Sequence, residues 1–211
     1  MADLKVTWRR FRRMHLPDPM IRLLREELKG MDSVLDVGCG SDSPLQFVPG
    51  IPRLTGVDAF LPSLEASKAR GIHQEYIHTP LEALSLPPRS YDAVVLLDLI
   101  EHFEKQEGLD FLKKMEAIAA KKILVFTPNG FLPQPPYENN PWQLHRSGWT
   151  VREFDDLGYR VYGVLGLKSL RGAFNRPRFH PWPFWERVAN LSRIFTAKRP
   201  DRDAALLAVK E

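Results

Sequence analysis

Residues 91–97, Tyr-Asp-Ala-Val-Val-Leu-Leu, are apolar on both faces of an extended strand. Such a strand needs packed layers above and below it, which is the position of a central strand in a parallel sheet. The rest of the chain supplies its neighbours. Ser33–Val37 and Leu54–Asp58 read as buried strands, Lys122–Phe126 as another, and Glu75–His78 as a more weakly patterned one. Helical patterns separate them, from Pro17 to Lys29 with Gly30 as the stop, from Leu64 to Arg70, and from Leu109 to Ala120. Ser43 followed by Pro44 is a good cap and first-turn pair for a short helix that Pro49-Gly50 ends. Strands alternating with helices mean a parallel sheet with right-handed crossovers. Tyr159–Leu167 and Ala204–Lys210 are also strand-like, with a Pro-, Arg- and aromatic-rich connection between them.

A chain of 211 residues has room for one well-buried α/β core. No apolar run reaches the ~20 residues that span a bilayer. The first fourteen residues carry arginines with no apolar stretch behind them, unlike a secretory signal. A single cysteine, Cys39, excludes an internal disulfide framework and suits the cytoplasm. The net charge of +4 is unevenly placed. Lys5, Arg9, Arg10, Arg12 and Arg13 cluster at the N-terminus, where Leu4, Trp8 and Phe11 recur at helical spacing. Residues 168–199 hold eight basic side chains against one acid, Glu186. Basic ends suit phosphates, lipid head groups or an anionic substrate, or simply a solvated surface.

The turn Gly38-Cys39-Gly40 follows the first strand, and Asp58 ends the second, twenty residues beyond Gly38. An acid there accepts both hydroxyl protons of a ribose, an arrangement that dinucleotide enzymes share. Electrostatics separate the readings. A pyrophosphate wants bare amides and no nearby anions, yet Asp36 precedes this turn, Asp42 follows it, and no Lys or Arg lies between Met31 and Pro52. Ser43 also stands in place of the third glycine of a dinucleotide fingerprint. The turn suits a ligand carrying an ammonium and a sulfonium.

Val34-Leu35-Asp36-Val37-Gly38-Cys39-Gly40 resembles the first motif of class I S-adenosylmethionine-dependent methyltransferases, and Gly56-Val57-Asp58 resembles the second. Ser90–Val95, with Leu97-Asp98-Leu99-Ile100-Glu101-His102 after it, is similar to their fourth strand and its exit, especially in the subgroup that includes ubiquinone-pathway O-methyltransferases. The likeness runs from about residue 30 to 167. It implies a doubly wound, Rossmann-like, mostly parallel seven-stranded sheet with an antiparallel last strand. It also implies one methyltransferase domain over 1–211: N-terminal helices in 1–29, a cofactor-binding core in 30–167, a basic aromatic insertion or lid in 168–203, and the last strand in 204–211. S-adenosylmethionine would be the cofactor and S-adenosylhomocysteine the product. Asp36 and the Gly38, Cys39 and Gly40 backbone would hold the methionine end, Asp58 with Ala59 the ribose, and Leu81 the adenine, while Leu97 and Asp98 close over the methionine moiety. Two positions depart from the family. Asp42 stands where a third small residue is usual, and Thr79-Pro80-Leu81-Glu82 replaces the usual adenine-contacting acid.

The acceptor is less legible. His102, just past the fourth strand, reads either as a base or acceptor orienter or as the cap of a following helix. The long loop from Gln134 to Trp149 suits a wall facing the acceptor, with Tyr137, Trp142, His145 and Arg146 as candidate contacts and His145 a second candidate base. Asn140-Pro141-Trp142 resembles the signature of amide methyltransferases but follows the fifth strand rather than the fourth, so that match is rejected. Phe184, Trp185, Val188, Leu191, Ile194 and Phe195 fall on one helical face, which reads as a lid over the acceptor or, across 182–199, as a peripheral membrane contact. No metal is expected, because the histidines and the cysteine show no ligand spacing. The acceptor reads as a small or lipid-like molecule and the chain as a monomer or weak dimer, with nucleic acid disfavoured. An RNA methyltransferase, a nicotinamide-dependent oxidoreductase and a silent binding module are the rivals.

Overall fold

The computed structural model describes residues 19–134, 140–172, 176–196 and 199–211. The basic N-terminal segment and Tyr137 lie outside the described residues. Seven strands, β1 (Ser33–Val37), β2 (Arg53–Asp58), β3 (Glu75–His78), β4 (Tyr91–Leu97), β5 (Ala119–Pro128), β6 (Arg160–Leu167) and β7 (Asp203–Lys210), form one sheet in the order β3-β2-β1-β4-β5-β7-β6. The strands from β3 to β5 pair in parallel, and β7 runs antiparallel to both its neighbours. This is a doubly wound, Rossmann-like architecture with one reversed strand among the described residues. β4 is central and buried on both faces, as its composition requires.

Among the described residues five α-helices flank the sheet: α1 (Pro19–Glu27), α2 (Leu61–Ala69), α3 (Lys105–Ile118), α4 (Val151–Asp156) and α5 (Trp182–Thr196). Phe111, Leu112 and Met115 of α3 and Phe154 of α4 pack on Leu35, Val94 and Val125 on one face. Ile21 and Leu24 of α1 pack on Val34, Val95 and Leu124 on the other. Ser43 caps the short helix Pro44–Phe47, accepting from the Leu45 amide at 3.2 Å. α3 begins four residues before the sequence pattern suggested. The Glu104 side chain accepts from the Glu107 amide, and the Glu104 amide donates back to Glu107 Oε2 at 3.3 Å, so a glutamate takes the N-cap place usual for Ser or Thr. α3 then passes directly into β5, which starts at Ala119.

α5 is inverted relative to its expected role. It lies on β6 through Ala189, Ser192 and Thr196, all buried, and leaves Leu191, Ile194 and Phe195 62%, 74% and 83% exposed. Ser192 Oγ accepts from the Leu167 amide at 2.9 Å. Arg171, itself buried, donates to Asn190 Oδ1 at 2.9 Å. The polar face therefore holds the helix down while the apolar face looks outward.

A second polar clamp joins α1 to the far side of the sheet. Buried Glu27 accepts from Lys122 at 2.9 Å, from Arg160 at 3.0 Å and from the Tyr162 hydroxyl at 2.9 Å. Burial opposes its charge, but these partners prevail and hold its pKa below the ordinary glutamate value. Such a group stabilises the fold above its unfolded pKa and loses that contribution as pH falls through the lower folded value. Glu27→Gln is expected to cost about 1–3 kcal/mol near neutral pH by urea unfolding, with the deficit shrinking in acid. A deficit independent of pH would show that charge is not its origin.

Candidate active site

The chain leaves β1 through a turn held against β2. The amides of Gly38 and Cys39 both donate to the Val57 carbonyl, at 2.8 and 3.0 Å. Gly38 and Gly40 take the left-handed conformation, with φ of 71° and 59°. A Cβ on Gly38 would come within 2.7 Å of a Leu99 methyl, whereas one on Gly40 would meet nothing within 4 Å. That open space is the mouth of a cavity. Beneath it the Gly40 amide donates to Asp58 Oδ2 and the Phe60 amide to Oδ1, both at 2.8 Å. The carboxylate is thereby oriented, with each oxygen keeping a second lone pair. Burial raises its pKa, and the two amide bonds reverse that only in part.

Asp36 is not on this surface, contrary to the expectation that it holds the methionine end. It is 1% exposed, accepting from Ser43 Oγ at 2.5 Å and meeting His73 Nε2 at 2.9 Å. His73 Nδ1 in turn meets Ser67 Oγ at 3.2 Å. The group braces the glycine turn from behind. The Cys39 side chain is likewise buried and off the cavity wall, and burial pushes its thiol far above the ordinary range. Leu97 packs toward the α1 core, so Asp98 and Leu99 occupy the wall in its stead. Asp98 adopts a positive φ of 50°, a strained geometry that turns this residue at the end of β4.

The cavity, about 310 Å³, lies at the carboxyl edge between β1 and β4, the switch point of the strand order. Gly38, Gly40, Asp58, Ala59, Ser63, Leu81 and Glu82 line one side. Asp98, Leu99, His102, Phe103 and Glu107 follow, and Asn140, Trp142, Gln143 and Arg146 close the other. Glu82 thus brings an acid beside Leu81, where the motif lacked one. Ser63 and Glu107 carry no sequence signal that would have marked them. The turn's third acid, Asp42, points away and pairs with Arg70 at 3.1 Å. No residue of α5 lines the cavity.

His145 also departs from its expected place. Its ring stands edge-on to His102, with centroids 4.9 Å apart, but only His102 reaches the cavity wall. His102 Nδ1 lies 3.1 Å from the Leu144 carbonyl and His145 Nδ1 2.6 Å from that of Leu132. A carbonyl only accepts, so the Nδ1 facing it carries the proton, and His145 Nε2 keeps a lone pair; the His102 ring also meets the main chain of Asp98. Burial lowers both pKa values, which favours the neutral rings. Beside them Glu101, 2% exposed, accepts from Thr127 Oγ1 at 3.0 Å through Oε2, while Oε1 has no hydrogen-bond partner. Burial and the charge of Asp98 raise its pKa well above the ordinary value. One ligand atom each from Glu101, His102 and His145 lies within 4.8 Å of the others. The expectation of no metal-ligand set rested on chain spacing. The fold brings the three together across the chain, because the amides of Arg146 and Ser147 donate to the Glu101 carbonyl at 2.8 and 3.1 Å and dock the loop there.

Residues 35–122 match the family described as a methyltransferase domain. Over that stretch the chain is similar to a methyltransferase domain. The nicotinamide oxidoreductase reading is thereby set aside. No curated protein matches the sequence. Among solved structures, the methyltransferase domain of bacterial CtHen1 is similar at 20% identity and a TM-score of 0.56, covering 90% of this chain and 96% of that one. An Archaeoglobus fulgidus methyltransferase described as SAM-dependent gives 20% identity and 0.53, covering 90% and 94%. The Synechocystis PCC 6803 magnesium protoporphyrin IX methyltransferase, solved with bound SAM, gives 17% and 0.52, covering 92% and 77%. At these identities the likeness is one of fold. Among the described residues no helix is long and apolar enough to cross a membrane.

The bracing role of Asp36 has a measurable consequence. Asp36→Ala strands buried His73 and Ser43 and is expected to lower the unfolding free energy by roughly 3 kcal/mol in urea. A loss under about 1 kcal/mol would mean that neither partner depends on it.

Proposed function

We propose that this methyltransferase transfers the methyl group of S-adenosylmethionine by direct displacement to a small-molecule or lipid-linked acceptor, releasing S-adenosylhomocysteine. The observation that carries the reading is the charge of the cavity. Among the described residues, Asp58, Glu82, Asp98 and Glu107 line it against Arg146 alone of Lys and Arg, and it opens on a glycine turn with left-handed backbone. Such a wall attracts an ammonium and a sulfonium and repels a pyrophosphate. The paired amides on Asp58 leave its outward lone pairs for the ribose hydroxyls. Leu81 offers an apolar surface to the adenine, and Glu82 an acceptor for its amino group. The sulfonium then faces Asp98 and His102. An acceptor held by Asn140, Trp142, Gln143 and Arg146 would stand opposite it, where alignment supplies most of the rate.

The outward apolar face of α5 favours an acceptor met at a membrane surface. Exposed Arg178 and Arg187 accompany Leu191, Ile194 and Phe195, a combination suited to anionic lipid.

Calorimetric titration with S-adenosylhomocysteine tests the cofactor site. Asp58→Ala is expected to weaken binding by about 1–3 kcal/mol, and Trp142→Ala to leave it nearly unchanged. Unaltered affinity in Asp58→Ala, or tight binding of NAD, would contradict the assignment. For the membrane contact, the double variant Ile194→Glu and Phe195→Glu is expected to sediment less than the parent with phosphatidylglycerol vesicles. Equal sedimentation would count against that contact, and RNA binding that falls steeply with salt would favour a nucleic-acid acceptor instead.

A further inference from the structure

We propose that Glu101, His102 and His145 form a binding site for one divalent transition-metal ion at the acceptor end of the cavity. Each residue supplies one ligand atom, and these atoms lie within 4.8 Å of one another. An ion needs them about 2.0–2.2 Å from its centre, a modest inward adjustment of side chains. Two imidazoles and a carboxylate are the donor set of a three-ligand site with an open position, and they suit zinc, manganese or ferrous iron better than calcium.

Independent features of the surroundings support this. Glu101 is buried almost completely and Oε1 has no hydrogen-bond partner. A buried carboxyl oxygen left unpartnered is costly unless something binds it. Each ligand is also held from behind. Thr127 Oγ1 donates to the other oxygen of Glu101, the Leu144 carbonyl fixes the His102 tautomer, and the Leu132 carbonyl fixes that of His145. His145 Nε2 is thereby left as an electron-pair donor, the outer-layer arrangement that metal-bound histidines use. The mechanism of methyl transfer asks nothing of His145, which stands off the cavity wall.

Of the three ligands His102 lines the cavity, so an open coordination position on its side would face the acceptor. On the methyl-transfer reading above, this deepens the assignment: the acceptor is a hydroxyl compound. Its oxygen, bound to the ion, loses its proton to solvent water more readily. It then attacks the sulfonium methyl, forming the C–O bond as the C–S bond breaks and the neutral sulfide leaves.

The test uses untagged full-length protein, stripped with a chelator and titrated calorimetrically with zinc, manganese and magnesium chloride in separate runs. One equivalent of zinc or manganese is expected to bind, magnesium more weakly. His102→Ala and His145→Ala are each expected to lower the affinity at least about tenfold, with Glu101→Gln as a third variant if it folds. Cobalt absorption bands that appear in the parent and vanish in His145→Ala would report the same site spectroscopically. S-adenosylhomocysteine binding should survive His145→Ala, so loss of the ion and failure of the cofactor assignment are separable. No binding of any of the three ions, or affinities unchanged in both histidine variants, would overturn the proposal.

Discussion

Two amide bonds to one carboxylate hold the site together. Gly40 and Phe60 donate to the two oxygens of Asp58, tying the turn after β1 to the end of β2. The bond from Gly40 requires the left-handed backbone that glycine alone adopts without strain. It keeps the turn open toward the cavity and presents the outward lone pairs of Asp58 at its rim. Behind it, Asp36, His73 and Ser43 prevent the turn from collapsing onto the sheet. The acid of the first motif is therefore structural here, and the acid of the second meets the cavity.

The opposite wall is built on different physics. Asp98 adopts a strained backbone at the end of β4, and Glu101 sits three residues on with one oxygen unsatisfied. Both are local costs of the kind that gather where a protein binds something. Residues 140–149 are docked by main-chain bonds to Glu101 and by Trp149, which is fully buried and carries Lys105 over its ring at 3.8 Å. A rigid anchor of this sort holds Trp142 and Arg146 over the cavity while leaving them solvent-accessible.

Much of this was legible in the residues. The buried strands follow from apolar runs and their spacing, because a strand buried on both faces has few other ways to be written, whereas β3, half-exposed, is only weakly patterned. The glycine turn and Asp58 were legible because their roles are backbone roles, set by local geometry. What escaped detection depended on contacts distant in the chain. His73 lies 37 residues from its partner Asp36, and His145 meets His102 only because the loop folds back. Leu97 and Leu99 differ by one side of the strand end, which the turn at Asp98 decides. α5 carries a clean apolar face, and periodicity alone assigns that face to the interior. Here small residues and an Arg171–Asn190 bond bury the polar face instead, since Gly166 brings the backbone of β6 too close for larger side chains.

A crystal structure of the complex with S-adenosylhomocysteine tests the account most directly. Both ribose hydroxyls are expected on the carboxylate of Asp58, the adenine against Leu81 and the sulfur directed at the His102 wall. A ligand lodged elsewhere, or bound in this cavity with its ribose away from Asp58, would contradict it.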